Sequence, residues 1–347
     1  MKLRVLGVCQ GQGALLFPLK KYLIGNIEPR GCFHTPKEEQ WKLNFGDVPF
    51  PRKFEPDDKT YFNKCVMDAN VIIGSPNCGT SSILSFSRKK SFGKPKEDDS
   101  INLYLDMVKL VKPDIFIMEN LPKLLDFITE QEWYEMFPDY NIVFHNHSVS
   151  AFGNSQLSRV RLLLVAVRKG SRVNLKHFKK IYKVRKPKST AELMDDRRLD
   201  PVNWPLNGNR REPDEHKVCM YDYRDSNKTK LSLGEIRELW QKDFSQYYKW
   251  PINSARMKTL PGVYRNKPDG YPMTARKQDR QFRPDGVIMS PGELAVIQGF
   301  PNRFKLYMET NDSKKNYWIN KGRVTITKGP SYEMGIWIKQ CLRKALK

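Results

Sequence analysis

The feature that most limits the folds open to this chain is an alternation in its first half. Aliphatic, largely β-branched runs ("LRVLGVC", "NVIIGSP", "PDIFIMENLP", "YNIVFHNHSVSAF", "VRLLLVAVRK") are separated by stretches whose apolar residues recur every three to four positions ("ALLFPLKKYL", "SINLYLDMVKLVK", "KLLDFITEQEWYEMF"). The first kind reads as buried strand and the second as helix packed on one face. Strands alternating with helices predict an α/β fold with a doubly wound, mostly parallel sheet. In such sheets the ligand crevice lies beyond the carboxyl ends of the strands.

That rule gathers separate residues at one place. Gly11 and Gly13 of "QGQG" follow the first strand, Cys78 of "GSPNC" follows "VIIG", and Glu119 with Asn120 end "DIFIMEN". Taken singly each has a plain reading: a tight glycine turn, a small buried thiol, a helix cap. Taken together they bring a thiol and a carboxylate to a crevice beside a glycine loop suited to a nucleotide-like ligand, and thiolates become reactive in partly exposed, electropositive settings.

Composition narrows the partners. The 347 residues carry 61 Lys and Arg against 38 Asp and Glu, a formal charge of +23. A field of that size attracts polyanions and makes their binding salt-dependent, so nucleic acid is the expected partner. The six cysteines form no C-x-x-C pair, which argues for a reducing compartment and against disulfides or a structural zinc. No apolar run approaches membrane-spanning length, and the apolar stretch near Met1 is too short for a signal peptide. A cytoplasmic location, in a bacterial or phage-infected cell, is the expectation. "HNH" at 145–147 puts two histidines on one face of a strand, which is read as structural rather than as a metal site.

The ordered set "GQG", "GSPNC", "MENLP", "QLSRVR" and "ELAVIQGFPNRF" resembles the DNA cytosine-C5 methyltransferase family, across residues 3–168 and roughly 271–341. The resemblance implies a Rossmann-like methyltransferase with S-adenosylmethionine as donor, double-stranded DNA as substrate and a monomeric enzyme. It divides the chain into a catalytic part (1–168), a target-recognition region (169–270) and a C-terminal return to the catalytic layer (271–347).

The resemblance also implies roles. Cytosine C5 is a poor nucleophile, so the Cys78 thiolate would add to C6 and make the ring enamine-like. Glu119, protonated or sharing a proton, would meet N3. Arg159 and Arg161 would stabilise O2 where charge develops. The base would first be rotated out of the duplex. The implied cofactor-binding set is Gly11, Gly13, Pro76, Asn120 and Gly335. DNA contacts are expected from Ser81, Arg88 and Lys89 after the cysteine, from Gln156, and from Lys179, Lys180 and Arg185 in the basic middle, where cations interleave with His177, Phe178 and Tyr182. Within that middle, Ser232 and Glu235 form a capping-box pattern that opens a packing helix.

The family pattern is broken at three places, all on the cofactor side. Cys9 stands where a phenylalanine is usual. The acidic residue after the second strand is replaced by Cys32 and Phe33, with Glu28 a nearby substitute. Ile336 follows Gly335 where the family has Asn. Two other readings therefore stand beside the first: a methyltransferase-like protein that binds DNA without turnover, or one that uses RNA or another donor. A cysteine-hydrolase reading of "NCGTSS" needs a histidine base, and nothing in the sequence brings His145, His147 or His216 to it.

Overall fold

In the computed structural model the described residues are 2–28, 36–49, 66–76, 99–193, 289–307, 326–327 and 329–346, with short pieces at 220–221, 230–231, 263–265, 271–272 and 280–282. The aliphatic runs become strands β1 (Val5–Val8), β3 (Val71–Gly74), β4 (Ile115–Asn120), β5 (Tyr140–Ser148) and β6 (Val160–Arg168). The sequence reading did not mark β2 (Leu23–Ile27), which lies at the sheet edge.

The strands order as β2-β1-β3-β4-β6-β5. The first four pair in parallel, while β6 runs against both of its neighbours. Successive side chains feed two separate cores, as the twofold strand period requires. Val71 and Ile73 face one core and Ile72 the other; Leu163 and Val165 face one, Leu162 and Leu164 the other.

Helices cover both faces. On one lie α2 (Asp99–Val111) and α3 (Glu130–Met136). On the other lie α1 (Pro36–Phe45), α4 (Pro291–Ile297) and α5 (Tyr332–Ala345). No helix among the described residues is long and apolar enough to cross a membrane.

Two expected helices differ in detail. "ALLFPLKKYL" gives only a 3-10 helix, Phe17–Tyr22, with Pro18 in its first turn, because proline supplies no N–H for a helix interior. "KLLDFITEQEWYEMF" breaks in two at Thr129, whose side chain accepts from Glu132 N while the Glu132 carboxylate accepts from Thr129 N, a capping box that starts α3 afresh. The strand expected through "HSVSAF" stops at Ser148, followed by a 3-10 turn, Val149–Phe152, and Gly153 at φ +100°. α4 starts as its sequence reads, with Ser290 as N-cap, Pro291 first and Glu293 closing the box.

The basic segment after β6 belongs to this body. Phe178 is fully buried, and its carbonyl accepts from His145 Nε2 at 2.7 Å. Val184 N donates to Phe152 O and Lys188 N to Ser155 Oγ. Phe152, Phe178, Tyr182 and His145 surround the ring of Trp337 in α5. A boundary at 168/169 thus cuts through a shared core. The helix read from Ser232 lies outside the described residues.

Candidate active site

The carboxyl ends of β1, β3 and β4 point the same way. At the end of β4, Glu119 is almost wholly buried. Its carboxylate accepts from Ser75 Oγ at 2.5 Å and pairs with Arg161 Nε at 3.0 Å. Arg161 comes from the antiparallel strand β6, where Glu119 stands opposite Leu163, so only a reversed neighbour brings the start of β6 to this end of the sheet. Its Nη1 donates back to Val160 O at 2.8 Å, fixing the guanidinium plane. A buried carboxylate with one hydroxyl and one cation on it is held in a single orientation at the carboxyl end of the sheet.

Asn120 reaches sideways. Its Nδ2 donates to Pro76 O at 3.3 Å and its Oδ1 accepts from Leu121 N at 2.8 Å. The amide therefore ties the end of β4 to the segment leading away from β3. Pro76 itself is buried. Cys78 and the expected DNA contacts Ser81, Arg88 and Lys89 lie outside the described residues.

Beside this pair, the turn after β1 is built from strained and glycine-dependent backbone. Cys9 has φ +56°, rare for a residue with a side chain, and its N–H donates to Ile27 O at 2.8 Å. Gly13 has φ +76°, and a Cβ there would lie 2.6 Å from the Phe45 ring. Gln10 Nε2 donates to Ile73 O at 2.7 Å, bridging the turn to β3.

Glu28, the nearby substitute for the acidic residue absent at Cys32 and Phe33, lies in the described part of the chain. It follows β2 directly, is buried, and its Oε1 accepts from Gly11 N at 2.7 Å and from Asn26 Nδ2 at 3.1 Å. The buried Oε1 atoms of Gln10 and Gln12 have no protein donor. A carboxylate and two open amide acceptors around a glycine turn fit a ligand that brings hydroxyl and ammonium donors.

Other expected site residues serve the frame of the crevice. Arg159 is buried, and its Nη2 donates to Thr327 O at 3.0 Å and Gly329 O at 2.7 Å, away from Glu119's partners. Gln156 is fully buried, with its amide on Asn154 Oδ1, Ile297 O and Gln298 Oε1. Gly335 is buried in α5, and a Cβ there would fall 2.6 Å from Leu15 O, so glycine lets the helix approach the turn after β1. The Arg185 guanidinium pairs with buried Glu333, which also accepts from Asn154 Nδ2 at 2.9 Å. Burial pushes the Glu333 carboxyl above its ordinary pKa, against the pull of Arg185. Lys179 and Lys180 are exposed on the outer side of the segment that packs on α5.

His145 and His147 have ring centroids 6.0 Å apart, and His145 is committed to Phe178 O. Among the described residues no group of three or more His, Cys, Asp and Glu could hold a metal ion.

The model of one family, described as C-5 cytosine-specific DNA methylase, matches residues 38–317. Among solved structures, a DNA modification methyltransferase encoded within an E. coli prophage superposes with a TM-score of 0.64 at 16% identity, over 99% of this chain and 99% of that one. The Entamoeba histolytica methyltransferase EhMeth gives 0.62 at 14% identity, over 100% and 99%. A triple mutant of Spodoptera frugiperda DNMT2 gives 0.61 at 11% identity, over 98% and 99%. At such identities these three speak for the fold alone. No curated protein matches the chain.

Proposed function

Because the chain belongs to the C-5 cytosine-specific DNA methylase family, and so methylates C5 of cytosine in DNA, we propose that the crevice around Glu119 is where the target base is held and activated. The observation that carries this reading is the Glu119 carboxylate, buried at the end of β4 between Ser75 Oγ and Arg161 Nε.

S-adenosylmethionine, when bound, supplies an electrophilic methyl group. Glu28 at the end of β2 would hold its ribose hydroxyls, and the turn of Gly11 and Gly13, with Gln10 and Gln12, would line the rest of its pocket. The thiolate of Cys78 adds to C6 of the flipped cytosine, forming the S–C6 bond and moving electron density to C5 and toward N3. Glu119 holds the proton at N3, and Arg161 keeps that carboxylate oriented. Once C5 carries the methyl group, a base removes its proton and the S–C6 bond breaks, returning the thiolate. Asn120, bonded to Pro76 O, fixes the chain two residues before Cys78.

Two finer points belong to the same reading. The recognition region lies within residues 169–270, and the packing of residues 173–188 in the catalytic core supports its DNA-reading part lying later in that span. The enzyme acts in the cytoplasm as a monomer on double-stranded DNA. The test is transfer of labelled methyl from S-adenosylmethionine to duplex DNA and, in parallel, to structured RNA, with Cys78→Ser alongside. Label on DNA cytosine that vanishes in the variant is expected. Label on RNA alone would transfer the mechanism to another polymer, and label unchanged in Cys78→Ser would remove the covalent step.

A further inference from the structure

A strongly cationic face lies at the end of the sheet remote from the crevice. The 3-10 helix Phe17–Tyr22 delivers the chain to Leu23, which pairs with Val5 at the amino end of β1. Lys20, Lys21 and Tyr22 therefore sit at the end opposite Glu119. α5 starts near the crevice, where Tyr332 N donates to Gln298 O and Glu333 meets Asn154. At a rise of about 1.5 Å per residue, Arg343 and Lys344 lie roughly 15 Å further along the helix.

The two elements pack side by side and their cations converge. Lys21 Nζ stands 4.7 Å from the centroid of the Tyr22 ring. The Tyr22 hydroxyl is held below its ordinary pKa by its hydrogen bond with Lys21, and Arg343 and Lys339 pull in the same direction. Nearby, Lys344 Nζ lies 5.1 Å from the Tyr182 ring. Across residues 17–22, 169–188 and 332–346 the sole carboxylate is Glu333, which is fully buried and taken up by Arg185 and Asn154. Nothing on these segments neutralises the exposed lysines and arginines locally.

The chemistry favours one kind of partner. Insertion into a membrane needs exposed apolar side chains, and none of the exposed large hydrophobic residues among those described lies on these segments. Cations beside half-buried tyrosine rings suit phosphates and the bases between them. We propose that the face formed by Phe17–Tyr22 and the last turns of α5 is a second docking surface for DNA, so that one chain holds a duplex in the crevice and another duplex segment at the opposite end of the sheet.

The binding ratio tests this without turnover. Sedimentation with a short duplex in excess at low salt is expected to give two duplexes per chain for the wild type and one for the charge-reversal variant K20E/K21E/R343E. A neutral variant, K20Q/K21Q/R343Q, keeps the test readable if reversal harms folding, and circular dichroism checks both. By counterion release, these three cations give the second binding event of the wild type a salt slope of about 3 or more in magnitude. One duplex per chain in the wild type, or two retained in both variants, overturns the proposal. Capture of the wild type by phosphatidylserine vesicles that displace the second duplex also overturns it, in favour of a membrane role.

Discussion

Glu119 has two partners that differ in kind, and the difference sets what each is worth. Ser75 gives a neutral donor at 2.5 Å, while Arg161 gives a charge-assisted one at 3.0 Å from a strand that exists to reach it. Glu119→Gln keeps the shape but removes both the carboxylate charge and the exchangeable acid proton, so kcat in single-turnover methyl transfer is expected to fall by about 10²–10⁴-fold. Ser75→Ala removes one hydrogen bond and is expected to cost about fivefold, in line with ~1 kcal/mol. Equal losses in the two variants would mean that Glu119 acts only as a structural anchor. On the cofactor side, Glu28→Ala removes a buried carboxylate acceptor, and S-adenosylmethionine binding measured by calorimetry is expected to weaken by about 10–150-fold, as for hydrogen bonds to charged groups of ~1.5–3 kcal/mol. An unchanged Kd would take Glu28 out of the pocket. Glu119 was legible in the sequence because it ends an uninterrupted aliphatic run. Glu28 was reached only as a nearby substitute, because "LIGNI" contains Gly25 and Asn26 and lacks the density of a buried strand. For Gln156 and Arg159 a sequence gives residue type but not side-chain direction, and the structure adds their bonds to backbone at 297 and at 327 and 329.

The elements show the same division between pattern and placement. Strand alternation and the Ser290/Glu293 box are local, so β1, β3, β4, β6 and α4 could be drawn from the sequence. The reversal of β6 and the packing of residues 173–188 on α5 depend on contacts far apart in the chain, which no local pattern encodes. His145 is the hinge of that packing. It lies on β5, its Nε2 donates to Phe178 O, and its ring meets Trp337 and His147. Burial holds its pKa below the ordinary histidine value, and His147 adds to that, while the bond to Phe178 O acts the other way. A folded-state pKa below the unfolded one means that the stabilisation is present above about pH 6.5 and is lost as pH falls through the folded value. Thermal melts of the wild type are expected to drop more steeply from neutral pH into this acid range than those of His145→Gln. Parallel curves would remove His145 as the cause. Gly335 offers a second test at this scale. A methyl group placed 2.6 Å from Leu15 O forces α5 off the turn after β1, so Gly335→Ala is expected to lower stability by about 1–3 kcal/mol in denaturant unfolding.

At the scale of the whole molecule, the chain closes on itself through its last helix. Residues matching the family motifs occur early and again after 271, and α5 brings the late part under the early one: it packs along Phe17–Tyr22 and along Leu175–Phe178. Met334, Trp337, Ile338 and Leu342 are fully buried there, in the same core as Val5, Val71 and Ile115. Each such side chain is worth about 1.5–3 kcal/mol of burial, so the four together supply roughly 6–12 kcal/mol. That is comparable to the whole net stability of a typical domain, about 5–15 kcal/mol. Removal of α5 also leaves Arg185 and Asn154 without Glu333 and opens the indole ring around which Phe152, Phe178 and Tyr182 pack. The helix contributes no group to the Glu119 cluster, yet the sheet that holds that cluster depends on it. A chain ending at Pro330 is therefore expected to lack a cooperative thermal transition and to lose methyl transfer. Trp337→Phe, which keeps most of the burial, is expected to fold with a lowered Tm and to keep the reaction. A cooperative melt in the shortened chain would show that the two cores stand without the helix, and would put the weight of stability on the sheet alone.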